Sequence, residues 1–257
     1  MELIDAHTHL TYEPLAADIG QVLSRSRLVG VRRWVTVGTD AEHIRRAVDL
    51  AAGHDGLYAA VGIHPHHAAE ATDADLALLR EYAGRPRVVA VGETGLDFHY
   101  NFSKQDRQCE VFRAELAIAA ETQLPVIIHS RNAFDETLAI LDEFAGRLKR
   151  VVFHCYSGTA EQARLVLDRG WFVSFTGIVT FKNADETRRA AAAVPLERMM
   201  IETDCPYISP EPVRNIRPCE PALMIHTAQK IADQKGLSLD EFARRVTATT
   251  AAFFALT

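Results

Sequence analysis

Leu3-Ile4-Asp5-Ala6-His7-Thr8-His9 opens the chain with a short apolar run that leads directly into a His-x-His. Read as a strand, its side chains alternate between two faces, so His7 and His9 project from one face, one pleat apart. Two neutral imidazoles held that way can grip one metal ion with little further ordering. The plainer reading is a pair of half-exposed polar residues at a strand end. The same pattern recurs further along the chain, and the recurrence favours a site.

Outward from this stretch, short β-branched runs alternate with amphipathic segments. Strands are expected at 3–9, 34–39, 58–64, 88–94, 125–130, 150–156, 172–177 and 199–205. Helical spacing of apolar residues falls at 19–29, 42–52, 73–82, 105–121, 134–144, 160–167 and 185–194, and again at 222–233 and 239–253. Eight strands each followed by a helix predict an α/β fold, a single-domain (β/α)8 TIM barrel over residues 1–257. Near-continuous apolar runs such as Val151-Val152-Phe153 suit a parallel sheet covered on both sides. No Pro- or Gly-rich linker divides the chain. The stretch 206–221, with Pro206, Pro210, Pro212, Pro218 and Pro221, is too long for a tight connector and is expected to cover one end of the barrel.

Composition sets bounds on function. An apolar content of 48% is ample for a full core. No apolar run is long enough to span a bilayer, and no basic region precedes the first apolar stretch as in a secretory signal. Cys109, Cys155, Cys205 and Cys219 form no Cys-x-x-Cys pair and read as the reduced thiols of a cytoplasmic protein. A net charge of −6 argues against coating nucleic acid by bulk electrostatics. It is compatible with an enzyme that takes a phosphodiester into a pocket made positive by metal ions.

The titratable residues gather at strand ends. His7 and His9 end the first strand, and Gly62-Ile63-His64-Pro65-His66-His67 ends the third. Gly92-Glu93-Thr94-Gly95-Leu96-Asp97 ends the fourth, and Ile128-His129-Ser130-Arg131 the fifth. Phe153-His154-Cys155-Tyr156-Ser157-Gly158 ends the sixth, and Ile201-Glu202-Thr203-Asp204-Cys205-Pro206 the eighth. In a barrel these carboxyl ends converge on one mouth, where catalytic groups sit. So many ionisable groups in one place need partners, because buried charge is costly.

Four histidines and two carboxylates, His7, His9, Glu93, His129, His154 and Asp204, suit a two-metal centre. In this reading Glu93 bridges the ions. His7, His9 and Asp204 serve mainly one ion, and His129 and His154 mainly the other. Asp204 orients the attacking water and accepts its proton. Glu202 faces the same way but deeper, as a further ligand or as a buried partner that orients one.

In this order the motifs resemble the TatD family of metal-dependent deoxyribonucleases, amidohydrolase-like TIM barrels, from His7 to about Pro221. The resemblance implies hydrolysis of DNA phosphodiesters, typically from the 3′ end, and metal ligands at His7, His9, Glu93, His129, His154 and Asp204. It places His64 in the lining of the substrate pocket; the alternative is a residue that merely caps its strand. Where members commonly carry Arg-Asn-Glu-Pro, this chain has Pro218-Cys219-Glu220-Pro221 after Arg217, which weakens the implied hold of that loop on substrate. A histidine-rich ligand set favours Zn²⁺ or Mn²⁺, whereas the family is usually described as Mg²⁺-dependent.

Among candidate substrate contacts, Arg131 shares a face with His129 and suits a phosphate, or a salt bridge to a nearby acid. Tyr156 has the same relation to His154 and suits stacking on a base, or packing at the rim. The loop Phe98-His99-Tyr100-Asn101-Phe102 is either a platform for unstacked bases or a plug between helices. Lys104, Arg107, Lys182, Arg214 and Arg217 form a basic rim or are simply solvated, and Arg188 and Arg189 read as solvated. The expected partner is DNA with single-stranded or frayed ends. Two other classes stay open: a metallohydrolase of an aminoacyl-tRNA ester, cyclic amide or lactone, and a non-enzymatic subunit of a larger assembly. Glu93 stands where a carboxylated Lys would close the fourth strand, which weighs against the cyclic-amide type.

Overall fold

Why the strands stop where they do explains how the functional residues are placed. In the computed structural model, which describes residues 1–256, the strands are β1 (Leu3–Thr8), β2 (Val31–Gly38), β3 (Leu57–Val61), β4 (Val88–Asp97), β5 (Val126–Arg131), β6 (Val151–Phe153), β7 (Phe172–Phe175) and β8 (Met199–Ile201). Among the described residues these eight strands lie in one sheet in chain order, the arrangement of a (β/α)8 barrel. The helices are α1 (Ile19–Leu28), α2 (Ala41–Gly53), α3 (Asp73–Ala83), α4 (Gln105–Thr122), α5 (Phe134–Asp142), α6 (Ala160–Asp168), α7 (Asp185–Ala193), α8 (Met224–Gln234) and α9 (Leu239–Phe254). Among the described residues no helix is long and apolar enough to cross a membrane. All four cysteines are free thiols.

By packing, the chain divides into two compact units, residues 36–154 and residues 1–35 with 155–257. In unit 36–154, β3, β4, β5 and β6 pair in parallel. Val126-Ile127-Ile128 and Val151-Val152-Phe153 are buried throughout, as expected for strands covered on both faces. Local signals start the helices: Asp40 accepts from the Glu42 and His43 N–H groups at the head of α2, and Thr72 with Asp75 forms a capping box on α3.

β4 runs three residues past its expected end. Its Gly95 pairs with His129 and its Asp97 with Arg131. Two glycines permit this close approach. Gly92 has φ +142°, and a Cβ there would lie 2.7 Å from the Ile127 carbonyl oxygen; at Gly95, φ +133°, a Cβ would overlap the His129 carbonyl oxygen. The Gly-x-x-Gly of this motif is thus a steric demand of the β4–β5 contact.

Glu115 on α4 ties this region together. It stands among the buried residues of its helix, Val111, Phe112, Leu116 and Ala119. Its Oε1 accepts from the Ile63 N–H at 2.7 Å, and its Oε2 lies 2.5 Å from Thr94 Oγ1. Burial pushes its carboxyl up to about 8. The folded state therefore keeps a proton that the unfolded chain releases near its ordinary value of 4.5. Stability contributed through Glu115 is full below that value and falls as pH rises toward 8, by roughly 1.4 kcal/mol per pH unit. Glu115→Gln removes this slope. In urea unfolding at pH 5 and pH 8, the variant is expected to gain on the wild type at the higher pH, by about 1.4 kcal/mol per unit of pH. Parallel pH profiles would show that Glu115 ionises normally.

In the second unit, β7 pairs with β8 in parallel, and Thr8 bridges Cys205, so β1 runs beside the segment leaving β8. β6 and β8 are shorter than the sequence suggests. Cys155 (φ +46°) and Asp204 (φ +53°) take left-handed backbone, which turns the chain out of the extended form. The 206–221 stretch is held by local bonds: Ser209 donates to the Ile216 carbonyl, and the Cys219 N–H to the Pro206 carbonyl at 3.0 Å. Arg188 is a correction to the solvated reading, because its guanidinium closes onto the carbonyls of Val179, Phe181 and Lys182.

Candidate metal centre

His7, in β1, and His9, just beyond it, do share a face. Their Nε2 atoms lie 3.2 Å apart, and Asp204 Oδ1 is 3.2 Å from His9 Nε2 and 3.8 Å from His7 Nε2. Ligands held at about 2.0–2.2 Å by one ion stand about 3–3.6 Å from each other, so this trio has the spacing and donor chemistry of a divalent site. Asp204 is fixed at both sides: its N–H donates to the His7 carbonyl at 3.0 Å, and its carbonyl accepts from Tyr207. Its left-handed backbone is a strain that Asp tolerates better than most residues.

Behind the trio is Asp5, two residues before His7 on the same face. Its carboxylate accepts from the Thr203 N–H at 2.9 Å and Oγ1 at 2.6 Å, next to Asp204. Burial pushes Asp5 up to about 8. Glu202 is buried, and its Oε1 accepts from the Cys155 N–H at 2.6 Å. Its carboxylate also offers an oxygen within 4.8 Å of a His7 ring nitrogen, so both of its expected roles fit its place.

A second cluster belongs to unit 36–154. Glu93 on β4 is only 2% exposed. Its Oε1 meets three imidazoles: His154 Nε2 at 2.6 Å, His129 Nδ1 at 2.8 Å and His64 Nε2 at 3.4 Å. His129 is on β5. His154 directly follows β6, its N–H still donating to the Ile128 carbonyl at 3.0 Å. His64 heads the turn after β3, where its Nδ1 accepts from the His66 N–H at 3.1 Å. That leaves the Nε2 hydrogen to point at Glu93, with burial pushing the ring down to about 3, where it is neutral. His64 thus caps its turn and donates to Glu93 at once, which makes it a poor ligand and a good orienting group.

Asp97 is the residue that motif reading passed over. Its Oδ2 lies 2.9 Å from His66 Nε2 and 3.2 Å from His129 Nε2, and its Oδ1 accepts from the N–H groups of His99 and Tyr100 at 2.9 Å each. Burial opposes its charge, but the bonds from His129, the Tyr100 N–H and His66 hold it well below the ordinary carboxylate range. His129 is in turn raised: burial alone would lower it, and the Asp97 and Glu93 carboxylates outweigh that. The ring is held between two carboxylates, Asp97 at Nε2 and Glu93 at Nδ1; an ion taken at Nδ1 beside Glu93 would leave the Nε2 proton to Asp97, the carboxylate–histidine arrangement common at metal sites. A period-two step from Glu93 through Gly95 to Asp97 was the signal that could have found it. Asp97→Asn is expected to lower Mn²⁺ affinity and kcat each by about 10- to 100-fold, read by calorimetric titration and turnover. Unchanged affinity would remove Asp97 from this role.

The remaining candidates are placed as follows. Arg131, the last residue of β5, is exposed, with its guanidinium 4.6 Å from the Tyr100 ring centroid. Tyr156 is 5% exposed, its hydroxyl donating to the Thr159 carbonyl at 2.7 Å and its ring edge-on to Phe175; the structure gives it the packing place, not the stacking one. Arg107 is tied to the Ala68 and Ala71 carbonyls, and Arg214 covers the Phe181 ring at 3.8 Å, so neither is simply solvated. In the altered loop motif, Glu220 forms a two-pronged pair with Arg25 at 2.8–3.0 Å, and Cys219 is buried with its Sγ toward the Ile208 carbonyl. Both brace the loop.

These clusters can be set beside known proteins. The model of the family described as TatD related DNase matches residues 4–255. A Bacillus subtilis protein named uncharacterized metal-dependent hydrolase YabD is 40% identical over 241 residues, 94% of this chain and 94% of that protein. An Erwinia tasmaniensis protein named 3′-5′ ssDNA/RNA exonuclease TatD is 36% identical over 246 residues, 94% of this chain and 95% of that one. Among solved structures, YJJV, a TatD homolog from Escherichia coli K12, superposes with a TM-score of 0.94 at 30% identity, covering 99% of this chain and 98% of that one. The chain belongs to the TatD-related DNase family and is a metal-dependent hydrolase acting on ester bonds.

Proposed function

We propose that this protein hydrolyses DNA phosphodiesters as a 3′-to-5′ exonuclease on single-stranded or frayed ends, with a binuclear divalent centre. The observation that carries the reading is the pair of histidine–carboxylate clusters at strand ends, His7–His9–Asp204 and Glu93 with His129 and His154 at 2.8 and 2.6 Å. The names of relatives such as the Erwinia tasmaniensis exonuclease support the nucleic-acid substrate. In this reading His7, His9 and Asp204 would hold one ion and Glu93, His129 and His154 the other, and the histidine-rich donor set favours Mn²⁺ or Zn²⁺, with Mg²⁺ also usable.

Bound there, two divalent ions would activate a water and neutralise charge on the attacked phosphate. The chain's own residues do the rest. Asp204 Oδ accepts the proton of the attacking water. His64 and Asp97 hold Glu93 and His129 in the orientation they need. Glu202, through Cys155, and Asp5, through Thr203, fix the backbone around Asp204 and His7. Arg131 is the candidate phosphate contact. The free thiols agree with a cytoplasmic location, which we propose with the rest.

The test is digestion of end-labelled single-stranded DNA and RNA with Mg²⁺, Mn²⁺ or chelator. Shortening from the 3′ end that chelator abolishes is the expected result. If neither strand is cut while an aminoacyl ester or a lactone is, the metallohydrolase reading stands with a different substrate.

A further inference from the structure

The loop that leaves β4 carries an arrangement that the hydrolytic step does not use. Tyr100 is 49% exposed and Phe102 66% exposed, the large apolar side chains left to solvent among the described residues of unit 36–154. Their rings are parallel within 4°, with centroids 5.4 Å apart. Arg131 lays its guanidinium 4.6 Å from the Tyr100 centroid. His66 meets both rings at right angles, 4.8 Å from Phe102 and 5.6 Å from Tyr100. The stack is anchored, because Asp97 holds the His99 and Tyr100 N–H groups with one oxygen and faces His66 and His129 with the other. One carboxylate therefore sets the distance from the ring stack to the Glu93–His129 cluster.

A plug between helices would bury these rings, and they are not buried. Leaving them in water costs free energy in the absence of a ligand. Flat parallel rings with a cation beside them fit a nucleobase and its phosphate, and such stacking tolerates any base. In a duplex the base faces are already covered by their neighbours. We propose that Tyr100 and Phe102, flanked by Arg131, are a stacking platform for an unpaired base of the strand being cut, and that this platform selects single-stranded or frayed ends. The proposal rests on the nucleic-acid reading above.

The test uses the whole protein and two labelled strands of equal length, an oligothymidylate and a fully abasic strand. Binding is read by anisotropy in chelator, and cleavage is read separately with Mn²⁺. The wild type is expected to prefer the base-bearing strand by about tenfold or more in binding. Tyr100→Ala/Phe102→Ala should lose that preference, whereas Tyr100→Phe/Phe102→Tyr, which keeps both rings, should retain it. Phe102→Ala alone, which removes only the more exposed ring, should show a smaller loss. If cleavage is normal but the alanine variants keep the wild-type preference, the platform is overturned and the nuclease reading survives. If the wild type cuts nothing yet its base preference disappears with the rings, the platform stands as a binding site and the nuclease reading falls. Absence of any base preference in the wild type would overturn the platform outright.

Discussion

Asp204→Asn is expected to cut turnover of single-stranded DNA by roughly 10²- to 10⁴-fold, the range typical of a lost general base. The fold should remain. Asn is among the few residues that adopt left-handed backbone readily, so φ +53° at this position is kept at little cost. The N–H bond to the His7 carbonyl also survives, since it is made by the main chain. What disappears is the carboxylate oxygen 3.2 Å from His9 Nε2, and with it the proposed metal donor and proton acceptor. The checks are steady-state kinetics with Mn²⁺ alongside circular dichroism and thermal melting. Activity within about threefold of the wild type would remove Asp204 from the chemistry, since a lost general base costs far more. A collapse of the melting transition would make its role structural.

Glu93→Gln is the second large effect. One buried oxygen of Glu93 faces nitrogens of His154, His129 and His64 at 2.6–3.4 Å, and the amide replaces it with no net charge. Three imidazoles then share a pocket without the anion that draws a cation in. Divalent-ion affinity of this cluster should fall by at least about a hundredfold, beyond the loss usual for an outer partner of a ligand. Metal content by plasma mass spectrometry should drop from the two ions per chain of the proposed centre toward one or none, and kcat should fall with it. Full metal content with normal kcat would show that Glu93 is not a ligand. A wild type that never binds more than one ion would overturn the binuclear reading while leaving the hydrolase intact.

The residues differ in how far each was legible before folding. His7 and His9 were readable because alternation along a strand is local and needs no partner. The same holds for Glu93, His129, His154 and Asp204, each placed directly after an apolar run. His64 was half readable: its motif was evident, but only the folded turn shows Nδ1 accepting from His66 and Nε2 turned to Glu93. Tyr156 was left open between stacking and rim packing because spacing gives a face and not a depth; the Thr159 carbonyl and Phe175 decide its burial. Asp97 shares a face with Glu93 by its spacing, but its partners His66 and His129 are distant in sequence, and Glu115 reaches Ile63 and Thr94 from another element, so no window around it names it.

Sequence alone determined the α/β alternation, the strand ends that carry histidines and carboxylates and the kinds of donor they offer. These follow from short-range rules: side-chain period, turn chemistry and the avoidance of bare buried charge. Tertiary structure decided which acid holds which imidazole, which ring nitrogen is left for a metal, and which aromatic rings stay in water. Those depend on strand register and on contacts through space. The meeting of Gly95 with His129 across β4 and β5 is what carries Asp97 to the far side of the His129 ring.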